Sequence, residues 1–532
     1  MKRELSRRAF LSGTLAVGAA TATAGLLAGC ASGESGKDRA GEEGRTWSKE
    51  ADVVVVGMGF AGLSAAYTAA QKGASVIVLE KAPEEHKGGD SRVSGQGSWV
   101  QPDTETAIAY FKELTQETNL ADIDDTLIET LVAGTAELPE WYEDNFDLET
   151  KPISGVEFPM AQSTATMKKE NTYLPSTGVG QSKVWQPIYE VVSEDPNVTF
   201  LYETPLTDLV FSENGEVVGV EATEAGETVS IKAKKGVIMA IGGYEFNEQL
   251  KANYLRYPSL SWGSPYNTGD GINICMKYDI DFWHMNSSMS AARMGCKTSW
   301  LEGNLENCSL DCQLVSKNGW IWVDKYGKRF VNEAQPSAHG FEKNALFYVD
   351  ASKMEFPRMP LWQVMDEEAV NDMGMNGIGW LNVIMEMETP ACIDKLIENE
   401  LMVKADTLEE LAVAMGVDPA DLMASVEGFN EAASAGTEDA FGREAGKMKA
   451  IVGPYYAVLI EPIMVNTNGG PRHDANANIL RTDGAPVERL YAAGEFGSIW
   501  TWFYQGGGNI SECMIFGRIA AENAAALDAW DV

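Results

Sequence analysis

The segment that most constrains this chain is Ala51-Asp-Val-Val-Val-Val-Gly57-Met-Gly59-Phe-Ala-Gly62, with an Ala-rich stretch to Gly73 and then Ala-Ser-Val-Ile-Val-Leu-Glu80. Residues 53–56 and 75–79 are apolar runs of the kind that parallel strands buried on both faces require. Gly57, Gly59 and Gly62 therefore form GxGxxG at a strand-to-helix turn. The first glycine permits the tight turn, the second lets a pyrophosphate approach the backbone, and the third lets helix pack on strand. The phosphate charge would meet the positive end of the helix dipole. Glu80 closes the second strand eighteen residues after Gly62, placed to accept hydrogen bonds from a ribose diol. A bare glycine turn would not need strand, helix, strand and acid to follow in this order. The unit alone does not separate FAD from NAD.

Four later segments discriminate. Gly88-Gly89-Asp90-Ser91 runs on to Ser94-Gly95-Gln96-Gly97, and residues 235–243 read as a strand ending in the pair Gly242-Gly243. Thr268-Gly269-Asp270-Gly271 opens a helix, and Leu490-Tyr-Ala-Ala-Gly494-Glu495 precedes Gly506-Gly507-Gly508-Asn509-Ile510-Ser511 and a final helix. In this order the segments resemble the flavoprotein subunits of the fumarate reductase and succinate dehydrogenase family, with its 3-ketosteroid dehydrogenase relatives, over residues 51–285 and 455–528. The resemblance implies an α/β fold: a Rossmann-type FAD-binding domain with an inserted α+β cap domain that closes over the substrate. It implies FAD as cofactor, with Asp90, Ser91, Ser94, Gly95 and Gly97 lining it, Asp270 contacting it and Glu495 binding the ribitol or ribose hydroxyls. Backbone amides around Asn509, Ile510 and Ser511 would face the flavin edge that becomes negative on reduction. A turn before a core helix is the plainer reading of the same glycines.

The expected organisation is a signal at 1–30, a tether at 31–50, the FAD-binding domain in two parts at 51–285 and 454–532, and the cap at 286–453. Within the cap, Thr407-Leu-Glu-Glu410 has capping-box spacing before Leu411, Met415 and a Gly stop. Residues 101–200 read as a second, mostly helical excursion.

In the family's fumarate reductases, His and Arg side chains clamp two carboxylates. This chain departs from that pattern. After Arg329-Phe-Val-Asn-Glu333 the family's clamp Arg falls near Ser337, and residues 286–291 lack the expected His. Before the last glycines the chain reads Trp500-Thr-Trp502-Phe503-Tyr504-Gln505, where a one-residue gap leaves the match open between Tyr504 and Gln505. Buried carboxylates without cationic partners are strongly penalised, which argues against dicarboxylates such as fumarate. Tyr504 before three glycine-rich positions resembles the Tyr-x-Gly segment of the 3-ketosteroid dehydrogenases, in which the hydroxyl polarises a carbonyl or passes a proton.

The expected activity is that of an FAD-dependent oxidoreductase acting on CH–CH groups. It would reduce an activated C=C bond, in an apolar or aromatic enone or enoate, by hydride transfer from flavin N5 with Tyr504 as the acid. A tyrosine pKa near roughly 10 keeps that proton at neutral pH. The alternatives are a ketosteroid-type dehydrogenase running oxidatively and a non-catalytic flavin electron-transfer protein, with the aromatic run as core packing. Arg293 is a candidate to hold a single carboxylate and His339 a candidate for acid-base work, each against an ordinary structural role. His86, His284, His339 and His473 have no metal spacing, so no metal is expected.

The first thirty residues read as an address. Arg7-Arg8 precede a weakly apolar stretch that resembles a twin-arginine export signal, and Leu-Ala-Gly-Cys30 looks like a lipoprotein site, with simple cleavage as the alternative. The expected location is the outer face of the cytoplasmic membrane, held only by lipid. The chain has no Cys-x-x-Cys-His and no second GxGxxG. Electrons would come from an external carrier, a multihaem cytochrome or a membrane quinol-linked protein. Lys and Arg number 41 against 78 Asp and Glu, a net charge of −37, which argues against nucleic acid as partner. Seven cysteines without dense spacing exclude a disulfide scaffold, and the Cys308/Cys312 spacing alone does not establish a bridge.

Overall fold

The valine run at 53–56 ends strand β1 (Lys49–Val56), whose last four residues are all buried. In this computed structural model the described residues are 45–101, 103–115, 123–154, 172–178, 180–255, 257–289, 294–312, 319–334, 339, 345–374 and 377–531. The signal, most of the tether, Arg293 and Ser337 lie outside them. Helix α1 (Phe60–Gln71) leads to β2 (Val76–Leu79), which pairs parallel to β1 with Val53 opposite Val76. Strand β3 (Val198–Leu201) adds parallel to β2, and β4 (Glu227–Met239) adds parallel to β1 on its other side. An antiparallel hairpin, Leu206–Phe211 with Val217–Glu224, pairs through the first half of β4.

A second sheet follows in the chain. Its central strand β5 (Tyr455–Met464) pairs antiparallel with Met294–Lys297, Leu361–Asp366 and Met402–Ala405, and parallel with Leu260–Ser261. This sheet therefore straddles the expected limits at 285/286 and 453/454, taking one strand from before the first and its centre from after the second. An apolar run shows that a strand forms but not which sheet receives it. The chain then returns to the first sheet by β6 (Pro486–Ala492), parallel to β4, and closes with helix α2 (Gly508–Ala526).

The expected capping box is present: the Glu410 amide donates to Thr407 Oγ1 at 3.2 Å, and the Thr407 amide donates to Glu410 Oε2 at 3.3 Å. The excursion at 101–200 contributes helices Thr104–Thr115, Asp125–Phe146 and Trp185–Ser193. Beneath the second sheet, Arg329 and Arg443 both pair with Glu333, and Arg329 also with Asp439, all with side chains at most 4% exposed. Four buried charges thus neutralise one another, with Phe429 and Trp320 stacked against the guanidinium groups.

Two glycines fix the first turn. Gly57 has φ +102°, and a Cβ there would lie 2.1 Å from the Ala240 carbonyl oxygen on the neighbouring strand end. A Cβ on Gly62 would lie 2.0 Å from the Gly57 carbonyl oxygen. The turn is therefore as tight as the sequence pattern implies, and α1 can seat against α2, where Ser64 Oγ donates to the Met514 carbonyl at 2.8 Å.

Candidate active site

At the carboxyl ends of β1, β2, β4 and β6 lies an open cleft. Such crevices are where parallel sheets place their ligands. Gly57, Gly59, Glu80, Asp90, Ser91, Asp270 and Glu495 all line it, so seven positions scattered over more than four hundred residues of chain converge. Gly62 lies behind, in the packing of the turn. Gly59 is the extended residue before α1, and the Phe60 amide donates to Ser91 Oγ at 2.8 Å.

Glu80 is 7% exposed. Its two oxygens accept from the Ala82 amide at 2.9 Å and the Gly88 amide at 3.4 Å, and these bonds oppose the burial that pushes its pKa up. The carboxylate is thereby fixed in orientation at the strand end, with acceptor capacity remaining for ribose hydroxyls. Asp270 opens a short helix and pairs with Lys81 Nζ at 2.7 Å, while Thr268 Oγ1 donates to it at 2.9 Å. Lys81, unpredicted from the sequence, is the one cation lining the cleft among the described residues. Its adjacency to Glu80 was the available signal.

Asp90 accepts from the Ser264 amide through Oδ1, and burial pushes its pKa up to about 6. Asp90, Glu495 and Glu245 present carboxylate oxygens within 4.8 Å of one another. Burial holds Glu245 and Glu495 well above the usual carboxylate range, with the neighbouring acids adding to the effect. Glu512 on α2, bonded by Ser498 Oγ at 2.6 Å and the Ile499 amide at 2.8 Å, is raised to about 8. Sequence reasoning identified two of these four acids, because Glu245 and Glu512 carry no motif of their own.

Ser94, Gly95, Gly97, Asn509 and Ile510 do not line this cleft. Ser94 Oγ instead donates to the Ser91 carbonyl at 2.9 Å. The 97–99 segment abuts the turn before α2, with the Trp99 amide donating to the Gly507 carbonyl at 3.1 Å and Ser511 Oγ to the Trp99 carbonyl at 2.7 Å. The α2 amides expected to face a ligand have partners within the chain: Ser511 N–H bonds the Gly507 carbonyl at 3.1 Å, and Asn509 N–H donates to Tyr504 Oη at 3.2 Å. Tyr504 thus stands at the positive end of a nineteen-residue helix.

Of the candidate catalytic residues, Tyr504 and His339 come together, ring centroids 4.8 Å apart at 84°. Arg293 is outside the described residues. Gln505 is engaged elsewhere, accepting from Tyr110 Oη at 2.8 Å, so Tyr504 is the member of the pair left beside His339. Trp500 is fully buried between Trp99, Phe111 and Tyr504 and belongs to the core, whereas Trp502 and Phe503 are half-buried. His284 bonds the Ser498 carbonyl at 2.7 Å and is pushed down to about 4 by burial. Cys312 lies 3.2 Å from Cys296, not against Cys308, and the six described cysteines are free.

The donor set suits FAD. A cation and a helix N-terminus serve a diphosphate, and fixed acids serve hydroxyls at either end. The turn leaves room for that diphosphate because Gly59 carries no side chain: a Cβ there would lie 2.9 Å from Ser91 Oγ.

Comparison with known proteins agrees. Residues 52–510 match the family described as FAD binding domain. The chain is 28% identical over 579 residues to the 3-oxosteroid 1-dehydrogenase of Mycolicibacterium smegmatis, covering 90% of this chain and 98% of that one. It is 25% identical over 464 residues to the vinyl phenol reductase of Lactiplantibacillus plantarum, covering 83% and 89%. The crystal structure of 3-ketosteroid Δ1-dehydrogenase from Sterolibacterium denitrificans shares the fold, with TM-score 0.72 and 22% identity over 90% of this chain and 100% of that one. The chain belongs to the FAD binding domain family and is an FAD-dependent oxidoreductase.

Proposed function

We propose that this enzyme acts on CH–CH groups and reduces an activated C=C bond in an apolar or aromatic small molecule, with Tyr504 as the proton donor. The observation that carries the reading is Tyr504 itself, buried beside His339 with its oxygen on the first-turn amide of α2. When bound, FAD supplies the hydride chemistry, held by Glu80, Lys81, Asp270 and Glu495. Tyr504 keeps its O–H as a donor while its oxygen accepts the Asn509 amide, so a developing phenolate is stabilised where it forms. His339, whose ring packs against that of Tyr504 at nearly a right angle, is the residue we assign to return a proton to Tyr504 after each turnover.

Against a dicarboxylate substrate, Arg329 and Arg443 are committed to Glu333 and Asp439 and cannot serve as clamps. A vinyl phenol reductase among the relatives supports a conjugated, aromatic alkene. The 3-oxosteroid 1-dehydrogenase relative, covered over 98% of its length, supports a second reading in which a ketosteroid is oxidised. The second sheet would act as the cap that excludes water. Export by the twin-arginine route, lipid attachment at Cys30 and electron supply by an external haem or quinol-linked carrier complete the proposal. Anaerobic assay of the holoprotein with reduced viologen and a panel of enones, enoates and vinyl phenols tests it. Dye oxidation supports reduction, and flavin bleaching by steroid ketones supports the second reading.

A further inference from the structure

Asp90 and Glu245 pose a bonding problem that their surroundings do not solve. Glu245 is fully buried and Asp90 is 8% exposed. Each has one oxygen with a donor: Asp90 Oδ1 accepts from the Ser264 amide, and Glu245 Oε1 accepts from Asn267 Nδ2 at 3.3 Å. The other two, Asp90 Oδ2 and Glu245 Oε2, have no partner among the described residues. Two ionised carboxylates offer only acceptors, so this arrangement in a buried site would carry both a repulsion and two unmade hydrogen bonds. One proton removes all three costs.

The local sequence presses each carboxyl against the backbone of a glycine, and their oxygens lie within 4.8 Å of one another. A Cβ on Gly263 would lie 2.0 Å from Asp90 Oδ1, so the 263–264 backbone closes directly on the Asp90 carboxyl. A Cβ on Gly243 would lie 2.7 Å from Glu245 Oε2, so the second carboxyl folds back against its own glycine pair. Asp90 lines the cleft and Glu245 does not; Glu245 stands behind it. Three segments of the cleft wall meet here: the helix Gly89–Val93, the loop after β4 and residues 264–267.

We propose that Glu245 is a carboxylic acid that donates its proton to the Asp90 carboxylate, and that this single shared proton holds the flavin-side wall of the cleft together, so that FAD retention weakens when it is lost. Glu245 acts here as a positioning residue, through Asp90. The charged and titratable groups facing the pair are Glu495 with Glu512 and Cys513 behind it, Tyr244 beside Glu245, and Cys308 with Lys251 beyond Asp90. Lys251 is bonded to the Ser259 carbonyl and Ser261 Oγ and paired with Glu248, so it does not neutralise the acids. The direction of the pKa changes agrees: burial pushes both carboxyl groups up, and the Asp90 charge pushes Glu245 further, so that a proton stays on the pair.

The inference rests on FAD occupying this cleft and not on which alkene is reduced. The test measures FAD dissociation from the holoprotein, by free-flavin fluorescence, from about pH 5 to about pH 9, in wild type and in Glu245→Gln. The amide of Glu245→Gln keeps the Asn267 bond and donates permanently to Asp90. Wild type should lose FAD affinity by about tenfold or more as pH rises, and Glu245→Gln should hold a flat profile across the same range. An infrared band of a protonated carboxyl group should be present in wild type at neutral pH and reduced in the variant. A flat wild-type profile, an unaltered slope in Glu245→Gln, or no protonated-carboxyl band would overturn the proposal.

Discussion

Tyr504 is the acid of the proposed reaction, and two neighbours support that role. Its oxygen accepts the Asn509 amide at 3.2 Å and its ring meets His339 edge-on. Tyr504→Phe removes the hydroxyl and leaves the aromatic packing against Trp500. Flavin content should stay at one per chain while turnover falls by at least about 100-fold, the usual weight of a positioned general acid. An unchanged rate would remove Tyr504 from the mechanism. Gly57 is the opposite case, a residue with no chemistry and no latitude. At φ +102°, with the Ala240 oxygen 2.1 Å from any Cβ, Gly57→Ala should lose FAD and cost about 1–3 kcal/mol or more, read as a lower melting temperature.

At the scale of elements, the cleft wall and the second sheet make different demands. The acids around β6 and α2 bind protons more tightly when folded, Asp90 to about 6 and Glu512 to about 8, against roughly 4 for unfolded carboxylates. Between those limits the folded chain holds the extra protons, so stability is highest on the acid side and falls as pH rises from about 4 to about 8. Urea midpoints of the purified protein should decrease over that range, and Glu512→Gln should flatten the decline; a rising midpoint would contradict the assignment. Beneath the second sheet, Arg443→Ala would strand Glu333 with Arg329 alone at a site with no solvent. Breaking one partner of such a buried pair should cost about 3–5 kcal/mol in urea unfolding.

These elements also mark where the sequence is readable. The GxGxxG turn, Glu80 and the capping box at Thr407 each complete their interactions within a short stretch, so their residues announce them. Lys81 with Asp270, and Asp90 with Glu245, meet across 189 and 155 residues of chain, and only the folded sheet order brings them together. The strand Leu260–Ser261 is two residues long, too short for any periodicity to reveal, yet it joins the second sheet. The aromatic run at 500–504 was half legible: the pattern showed the ring types, but only the structure separates buried Trp500 from Tyr504 beside His339.

For the whole molecule, the net charge of −37 acquires a use once the flavin cleft is placed. On the proposed reading an external carrier delivers the electrons, and an acidic surface would steer a basic one. The rate of reduction by a basic cytochrome should fall steeply as ionic strength rises, and a salt-independent rate would leave the charge without that role.

On the proposed reading, this cleft and Tyr504 together reduce an activated alkene. Rapid mixing of the anaerobically reduced holoprotein with vinyl phenols and enones, followed by the return of the visible flavin band, measures that step. Prompt reoxidation by at least one such compound is expected in wild type, with a rate lower by about 100-fold or more in Tyr504→Phe. Reduced flavin that no alkene reoxidises, in a protein whose oxidised flavin is bleached by steroid ketones, would contradict it.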